Sequence, residues 1–303
     1  MPPWQPLAPL EPLVFDWSRA AGIELAVLRL DLIDPLISGN KWFKLAPYLR
    51  AAAEGGFSGL MSLGGPHSNH LHALAAAGQR FAFPVVGLLR GEPQDTPTVR
   101  DLQAMGMQLH WLGYGGYRAR HADDFWLPWQ QRYPHLFAVA EGGLGLPAAR
   151  SCAGLRAQVQ AQLAALGWHD YDGWWLAAGT GTTMAGLVLA EAGEHPVYGA
   201  LAVPAGHGVD SQVSALLAEA GVANQGYHLI DACRGGFARV DPQLLAFIAE
   251  VEASSGLPLE PLYTAKALLA LRQQVEAGYF APATRLLFVH TGGLQGRRVL
   301  LTN

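Results

Sequence analysis

Short apolar runs and helical stretches alternate along almost the whole chain. Runs at 25–31, 59–62, 83–89, 135–140, 174–178, 197–202 and 284–289 have strand length and carry few charges. Between them, 70–78, 151–166, 210–220, 242–254 and 263–278 repeat apolar residues at helical spacing. Apolar strands need both faces covered, which helical crossovers between parallel strands provide. The predicted fold class is α/β, with two domains, each a mostly parallel sheet flanked by helices. No internal repeat interrupts the alternation, and the Gly/Tyr-rich patch at 113–117 reads as a surface loop.

A chain of 303 residues, half of them hydrophobic, is long enough for one large or two ordinary domains. A net charge of -4 with no Lys/Arg cluster argues against a nucleic-acid partner. Cys152 and Cys233 offer neither a disulfide framework nor metal-ligand spacing, which points to a reducing compartment such as the cytoplasm. The first residues lack a basic region followed by an apolar one, so no signal peptide is expected. The uncharged run 173–190 is long enough to raise the question of a membrane span. Its Gly/Thr centre and strand-then-helix pattern favour a buried turn instead, so no membrane partner is expected.

Four segments place reactive or polar residues at element ends. Ser38-Gly39-Asn40-Lys41 sets a lysine directly after a glycine turn, where a strand pattern passes into a helical one, and Lys44 follows one helical turn later. Gly64-Gly65-Pro66-His67-Ser68-Asn69-His70 ends a buried run and opens an alanine-rich helix. Its Ser and Asn suit a cap, and the free N–H groups of a helix start favour an anion. Gly179-Thr180-Gly181-Thr182-Thr183 joins strand to helix and offers N–H groups and hydroxyls to a phosphate. It lacks the ending of a nucleotide P-loop, and Met184 stands where a dinucleotide fingerprint wants glycine. Last, His290-Thr291-Gly292-Gly293 follows a buried strand, with glycines that let another group approach the backbone and a hydroxyl suited to a ring nitrogen.

With the segment 256–266, which contains Tyr263, Thr264 and Lys266, these motifs resemble in content and order those of the pyridoxal-phosphate enzymes of the tryptophan-synthase-β type, fold type II. More narrowly, the chain resembles the family of D-cysteine desulfhydrase and 1-aminocyclopropane-1-carboxylate deaminase. The resemblance implies pyridoxal 5'-phosphate in a cleft between a large domain, 1–43 with 151–303, and a smaller inserted domain, 44–150. It implies Lys41 as the catalytic amine that bonds the cofactor. Lys44, one helical turn on, is either a neighbour near enough to lower that amine's pKa or a solvated helix-surface lysine. Asn69 falls on the ring hydroxyl, Gly179, Thr180, Gly181, Thr182 and Thr183 on the phosphate, and Thr291 on the ring nitrogen. Ser68, Asn69, His70 and Tyr263 fall on the substrate, Ser68 and Tyr263 in catalytic positions. The partners implied are a small amino-acid substrate and a second copy in a homodimer. The implied reaction is β-elimination to a keto acid and ammonia.

Thr264 after Tyr263, and Thr291 after His290, match the desulfhydrase branch; the deaminase branch has an acid and a leucine there. Arg234-Gly235-Gly236-Phe237 replaces the family's Pro-Gly-Tyr-Gly, and Gly142-Gly143-Leu144-Gly145 replaces Gly-Gly-Ser-Asn. Trp42 and Phe43 are bulkier than usual after the lysine. These departures bear on the substrate rather than the cofactor. Two other readings compete with elimination: 1-aminocyclopropane-1-carboxylate deamination, and a non-catalytic protein that binds the cofactor or an amino acid. A metal centre on His67, His70 and His72 is not expected, because the trio straddles a loop and a helix start without an acidic ligand.

Overall fold

The computed structural model describes residues 4–236 and 239–301. In chain order the strands are β1 (Leu10–Leu13), β2 (Glu24–Arg29), β3 (Gly59–Gly64), β4 (Val85–Leu89), β5 (Gln108–Trp111), β6 (Leu136–Val139), β7 (Gly173–Ala178), β8 (Val197–Leu201), β9 (Tyr227–Asp231) and β10 (Arg285–His290). They form two sheets, one ordered β1-β2-β10-β7-β8-β9 and one ordered β5-β4-β3-β6. Every pairing is parallel except β1 with β2. The chain leaves the larger sheet after β2, builds the smaller sheet, and returns at β7.

Helices cover both faces, as buried parallel strands require. β7 is buried along its whole length, and its two tryptophans point to opposite faces. Trp174 donates its Nε1 hydrogen to Glu191 (2.6 Å) on one side, and Trp175 donates to the Ala267 carbonyl (2.8 Å) on the other. Burying a large apolar side chain contributes roughly 1.5–3 kcal/mol, so this central strand pins both helical layers.

Two local expectations need correction. Residues 113–117 are not a surface loop but lie in a short helix, Gly113–Arg118, because the buried Tyr117 sends its hydroxyl to the Glu141 carboxylate. The helix expected from 151 spans Leu146–Gln160, and the chain then tightens into a 3-10 turn at Leu163–Leu166. Proline in its first turn fixes the earlier start. Phe237, raised as a replacement for the family's tyrosine, lies outside the described residues.

Candidate active site

Ligands of parallel sheets gather at the carboxyl ends of the strands, where the connections open outward. In this chain β2, β10 and β7 are neighbours. Their C-terminal ends lead into Ser38–Lys41, Thr291–Gly293 and Gly179–Thr183. The smaller sheet delivers the Ser68 loop in the same way, from β3 into the helix Asn69–Phe81.

The Lys41 turn is locked to the strand next door. The Asn40 N–H donates to the Thr291 carbonyl (3.1 Å), and a Cβ on Gly39 would run into that same oxygen. A Cβ on Gly292 would in turn strike the Gly39 backbone. Both glycines hold positive φ, so close approach and backbone conformation each demand them. Lys41 opens the helix Lys41–Glu54, and its Nζ donates to Asn40 Oδ1 (2.8 Å). Asn40 is buried and donates its amide to Thr183 Oγ1 (2.9 Å), which ties the lysine turn to the Gly/Thr loop.

Lys44 is not a surface lysine: it is 4% exposed, and its Nζ donates to Thr180 Oγ1 (3.2 Å). Burial brings its amine down to about 8. Burial, and then the Lys44 charge, push the Lys41 amine well below the ordinary lysine range. A lysine in that state is neutral often enough to act as a nucleophile.

The helix Thr182–Glu191 begins after Gly181, whose φ of 70° makes the tight turn, and no side chain caps it. Its first N–H groups and positive dipole end therefore face the loop open to an anion. Thr180 and Thr182 line the same turn with hydroxyls 3.1 Å apart. Thr182 and Thr183 are buried. Gly179 packs against the ring of Tyr263, a Cβ there lying 3.1 Å from Tyr263 Cε1.

On the smaller sheet, Ser68 caps its helix by accepting the Leu71 N–H (3.2 Å). Asn69 Oδ1 accepts from Gln295 (2.9 Å), and its amide sits where a Cβ on Gly293 would be. Asn69 thus meets the segment that follows Thr291, which is itself 8% exposed. His70 is buried, and its Nε2 lies 2.8 Å from Ser62 Oγ. His72 turns instead to Asp101 (3.2 Å). Among the described residues, the histidine–acid group compact enough for an ion is Glu191, Glu194 and His195, and Arg156 already pairs with both glutamates.

Tyr263 precedes the helix Thr264–Glu276, and its phenol is pushed up by burial and by the Glu260 and Glu141 carboxylates. Thr264 is wholly buried and bonds back to Glu260, its hydroxyl accepting the Glu260 N–H (3.0 Å).

Residues 5–292 match the family described as pyridoxal-phosphate dependent enzyme. The chain belongs to that family. A putative 1-aminocyclopropane-1-carboxylate deaminase of Pyrococcus abyssi is 27% identical to this pyridoxal-phosphate dependent enzyme over 300 residues, covering 92% of the chain and 87% of the relative. The crystal structure of an ACC deaminase homologue superposes with a TM-score of 0.84 at 24% identity, covering 97% of this chain and 91% of that one. A hydrogen sulfide-producing enzyme from Fusobacterium nucleatum has the same fold, with a TM-score of 0.69, 11% identity, and coverage of 95% and 96%.

The cofactor of the family fits the donor set. Its aldehyde calls for a neutral amine, its phosphate for free N–H and hydroxyl donors and its ring hydroxyl for an amide, and the depressed lysine amines, the uncapped helix start with two threonine hydroxyls and Asn69 offer groups of these kinds. The sequence reading passed over Ser62, Glu141 and Glu260. Glu260 is wholly buried, accepts the N–H groups of Leu262, Tyr263 and Thr264 (2.6–2.8 Å), and so fixes the backbone that presents Tyr263. Burial pushes its carboxyl above the usual range. The signal available was an acid three residues before the tyrosine, at capping distance from a helix start. Glu141 holds Tyr117 and Arg120 (2.8 Å) beside Gly142, where a Cβ would lie 2.9 Å from Thr180 Cγ2.

Proposed function

We propose that this enzyme is a lyase that eliminates a β-substituent from a small amino acid, releasing a keto acid and ammonia, as a D-cysteine desulfhydrase does. The observation that carries the reading is a pair of neighbouring lysine amines with depressed pKa, Lys44 buried and Lys41 half-buried, beside an uncapped, threonine-lined helix start. Bound pyridoxal phosphate supplies an electron sink for the pair left on the substrate α-carbon. Lys41 anchors the cofactor and, once its amine is free, takes the α-proton. Lys44 keeps that amine in its proton-accepting form. Gly179, Thr180, Gly181, Thr182 and Thr183 hold the phosphate, and Asn69 the ring hydroxyl. Ser68 and the helix start after it hold the substrate carboxylate.

Tyr263 keeps its phenol proton across the working pH range, so it serves as donor to the leaving group. Thr291 faces the ring nitrogen with a hydroxyl rather than a charge. That is a weak aid to electron withdrawal, and it suits the easy loss of a thiolate better than ring opening. The segment 44–150 closes as one domain over 1–43 and 151–303, excluding water from the cleft. The working unit is a cytoplasmic homodimer.

A second reading, deamination of 1-aminocyclopropane-1-carboxylate, is favoured by the names its relatives carry. Absorbance decides first: a band near ~410–420 nm, quenched by borohydride and lost in Lys41→Ala, reports the lysine-bound cofactor. Assays with D-cysteine, L-cysteine and 1-aminocyclopropane-1-carboxylate then separate the two. Pyruvate from a cysteine enantiomer and no keto acid from the cyclopropane supports elimination; 2-oxobutyrate from the cyclopropane selects the second reading.

A further inference from the structure

His70 holds a buried nitrogen with nothing to bond to. The residue is 2% exposed, and its Nδ1 has no hydrogen-bond partner among the described residues. Its other nitrogen, Nε2, lies 2.8 Å from Ser62 Oγ. Ser62 has a single hydroxyl hydrogen, and the fold spends it elsewhere. Oγ donates to the Val139 carbonyl at 2.8 Å, with the Ala140 carbonyl at 3.4 Å sharing the same proton. Ser62 stands opposite Val139 in the β3–β6 ladder, so the main chain sets that geometry. Toward His70, Ser62 is therefore an acceptor, and Nε2 must carry the hydrogen. The proton is then absent from Nδ1, which is left as a bare lone pair.

The surroundings keep the ring in that form. Burial and the nearby charges of Lys41 and Lys44 bring His70 down to about 3, so the imidazole stays neutral at working pH. The Nδ1 edge faces Gly143: a Cβ there would lie 3.4 Å from His70 Cε1, 3.6 Å from Nδ1 and 3.0 Å from Lys44 Cβ. A side chain at Gly143 would crowd that edge of the ring. A buried acceptor without a partner costs about 1–3 kcal/mol, a cost removed when a ligand brings a donor.

We propose that Ser62 is a positioning residue that fixes the tautomer of His70, so that Nδ1 presents an obligate hydrogen-bond acceptor to a donor on the substrate. The inference rests on the elimination reading and sharpens its substrate class: the group that meets His70 carries hydrogen, as an ammonium or a thiol does. A carboxylate or sulfonate at this point is repelled by the lone pair. A site built around a buried acceptor discriminates strongly against an analogue without the donor.

Two measurements test it. Nitrogen-15 NMR of histidine-labelled holoenzyme, without substrate, is expected to show His70 protonated at Nε2 alone, unchanged from pH 6 to 8. Ser62→Ala should mix the two tautomers and Ser62→Thr should restore one. A proton on Nδ1 in the unsubstituted protein, or an unaltered tautomer in Ser62→Ala, overturns the assignment. This readout needs no turnover, so it stands apart from any failure of the elimination reading.

The second measurement is KM for cysteine and for β-chloroalanine, which carries the ammonium but no thiol. His70→Gln keeps a donor toward Ser62 and removes Nδ1. It is expected to raise KM for cysteine about tenfold, as loss of one buried hydrogen bond does. An equal rise for both substrates places the donor on the ammonium; a rise for cysteine alone places it on the thiol. Unchanged KM for both overturns the acceptor role.

Discussion

Two buried clusters of charge in this molecule are built on opposite principles. Around Glu191, at the far end of the Thr182–Glu191 helix, the buried charge is matched. This carboxylate is 1% exposed, takes hydrogens from Trp174, Tyr171 and His195, and pairs with Arg156 at 3.3 Å. Around Lys41 and Lys44 the amines have hydrogen-bond acceptors, Asn40 and Thr180, but no opposite charge to match their own. Lys44 is buried and Lys41 half-buried, and among the described residues neither has an ion pair. The acid that acts on Lys41, Glu260, is already committed to three backbone N–H groups. A matched buried charge contributes to structure, whereas an unmatched one lowers stability and is retained where its reactivity is used.

The contrast breaks if the two clusters respond alike to mutation. The largest effect expected is from Lys41→Ala, which should cut turnover on the order of 10^3-fold or more while leaving the fold intact. Circular dichroism alongside the assay checks it. Glu191→Gln should do the reverse, costing about 3 kcal/mol of stability because Arg156 and His195 lose their shared partner. Activity per folded molecule should stay within twofold, and urea unfolding with active-site titration reads both.

Lys44→Met should stabilise the cofactor-free protein. The folded Lys44 amine sits at about 8, below its ordinary 10.5, so between those values the unfolded chain binds the extra proton. Stability therefore climbs as pH rises from 8 to 10.5, and the full penalty applies below 8. The substitution should gain about 3 kcal/mol at pH 7, with the gain gone by pH 10.5. It should also slow cofactor loading at pH 7, because the Lys41 amine loses its cationic neighbour and holds its proton more tightly. Equal urea midpoints at pH 7 would sink the unmatched-charge account. The smallest effect is expected from Thr182→Val, where one lost hydroxyl should weaken cofactor retention about fivefold, measured by dialysis.

Much of the architecture was legible because apolar periodicity and glycine punctuation are local. The strands expected at 197–202 and 284–289 are β8 and β10 within a residue or two. β1 was not foreseen, since Leu10–Leu13 contains a proline and becomes a strand through its edge pairing with β2. Tyr117 looked like part of a loop because its neighbours are glycines; its burial depends on Glu141, more than twenty residues away. Ser62 gave one faint signal, a lone hydroxyl inside an apolar strand. Its meaning depends on where the Val139 carbonyl and His70 fall, and neither is a sequence neighbour.

By itself, the order of residues determined the family, the cofactor and the turns that carry Lys41, Ser68 and Thr182, because glycines and helix starts act through adjacent bonds. The tertiary structure decided the protonation of those groups. Desolvation and the approach of like charges are set by the packing of distant segments. Lys44 sits at about 8 and His70 at about 3 because of what surrounds them in space.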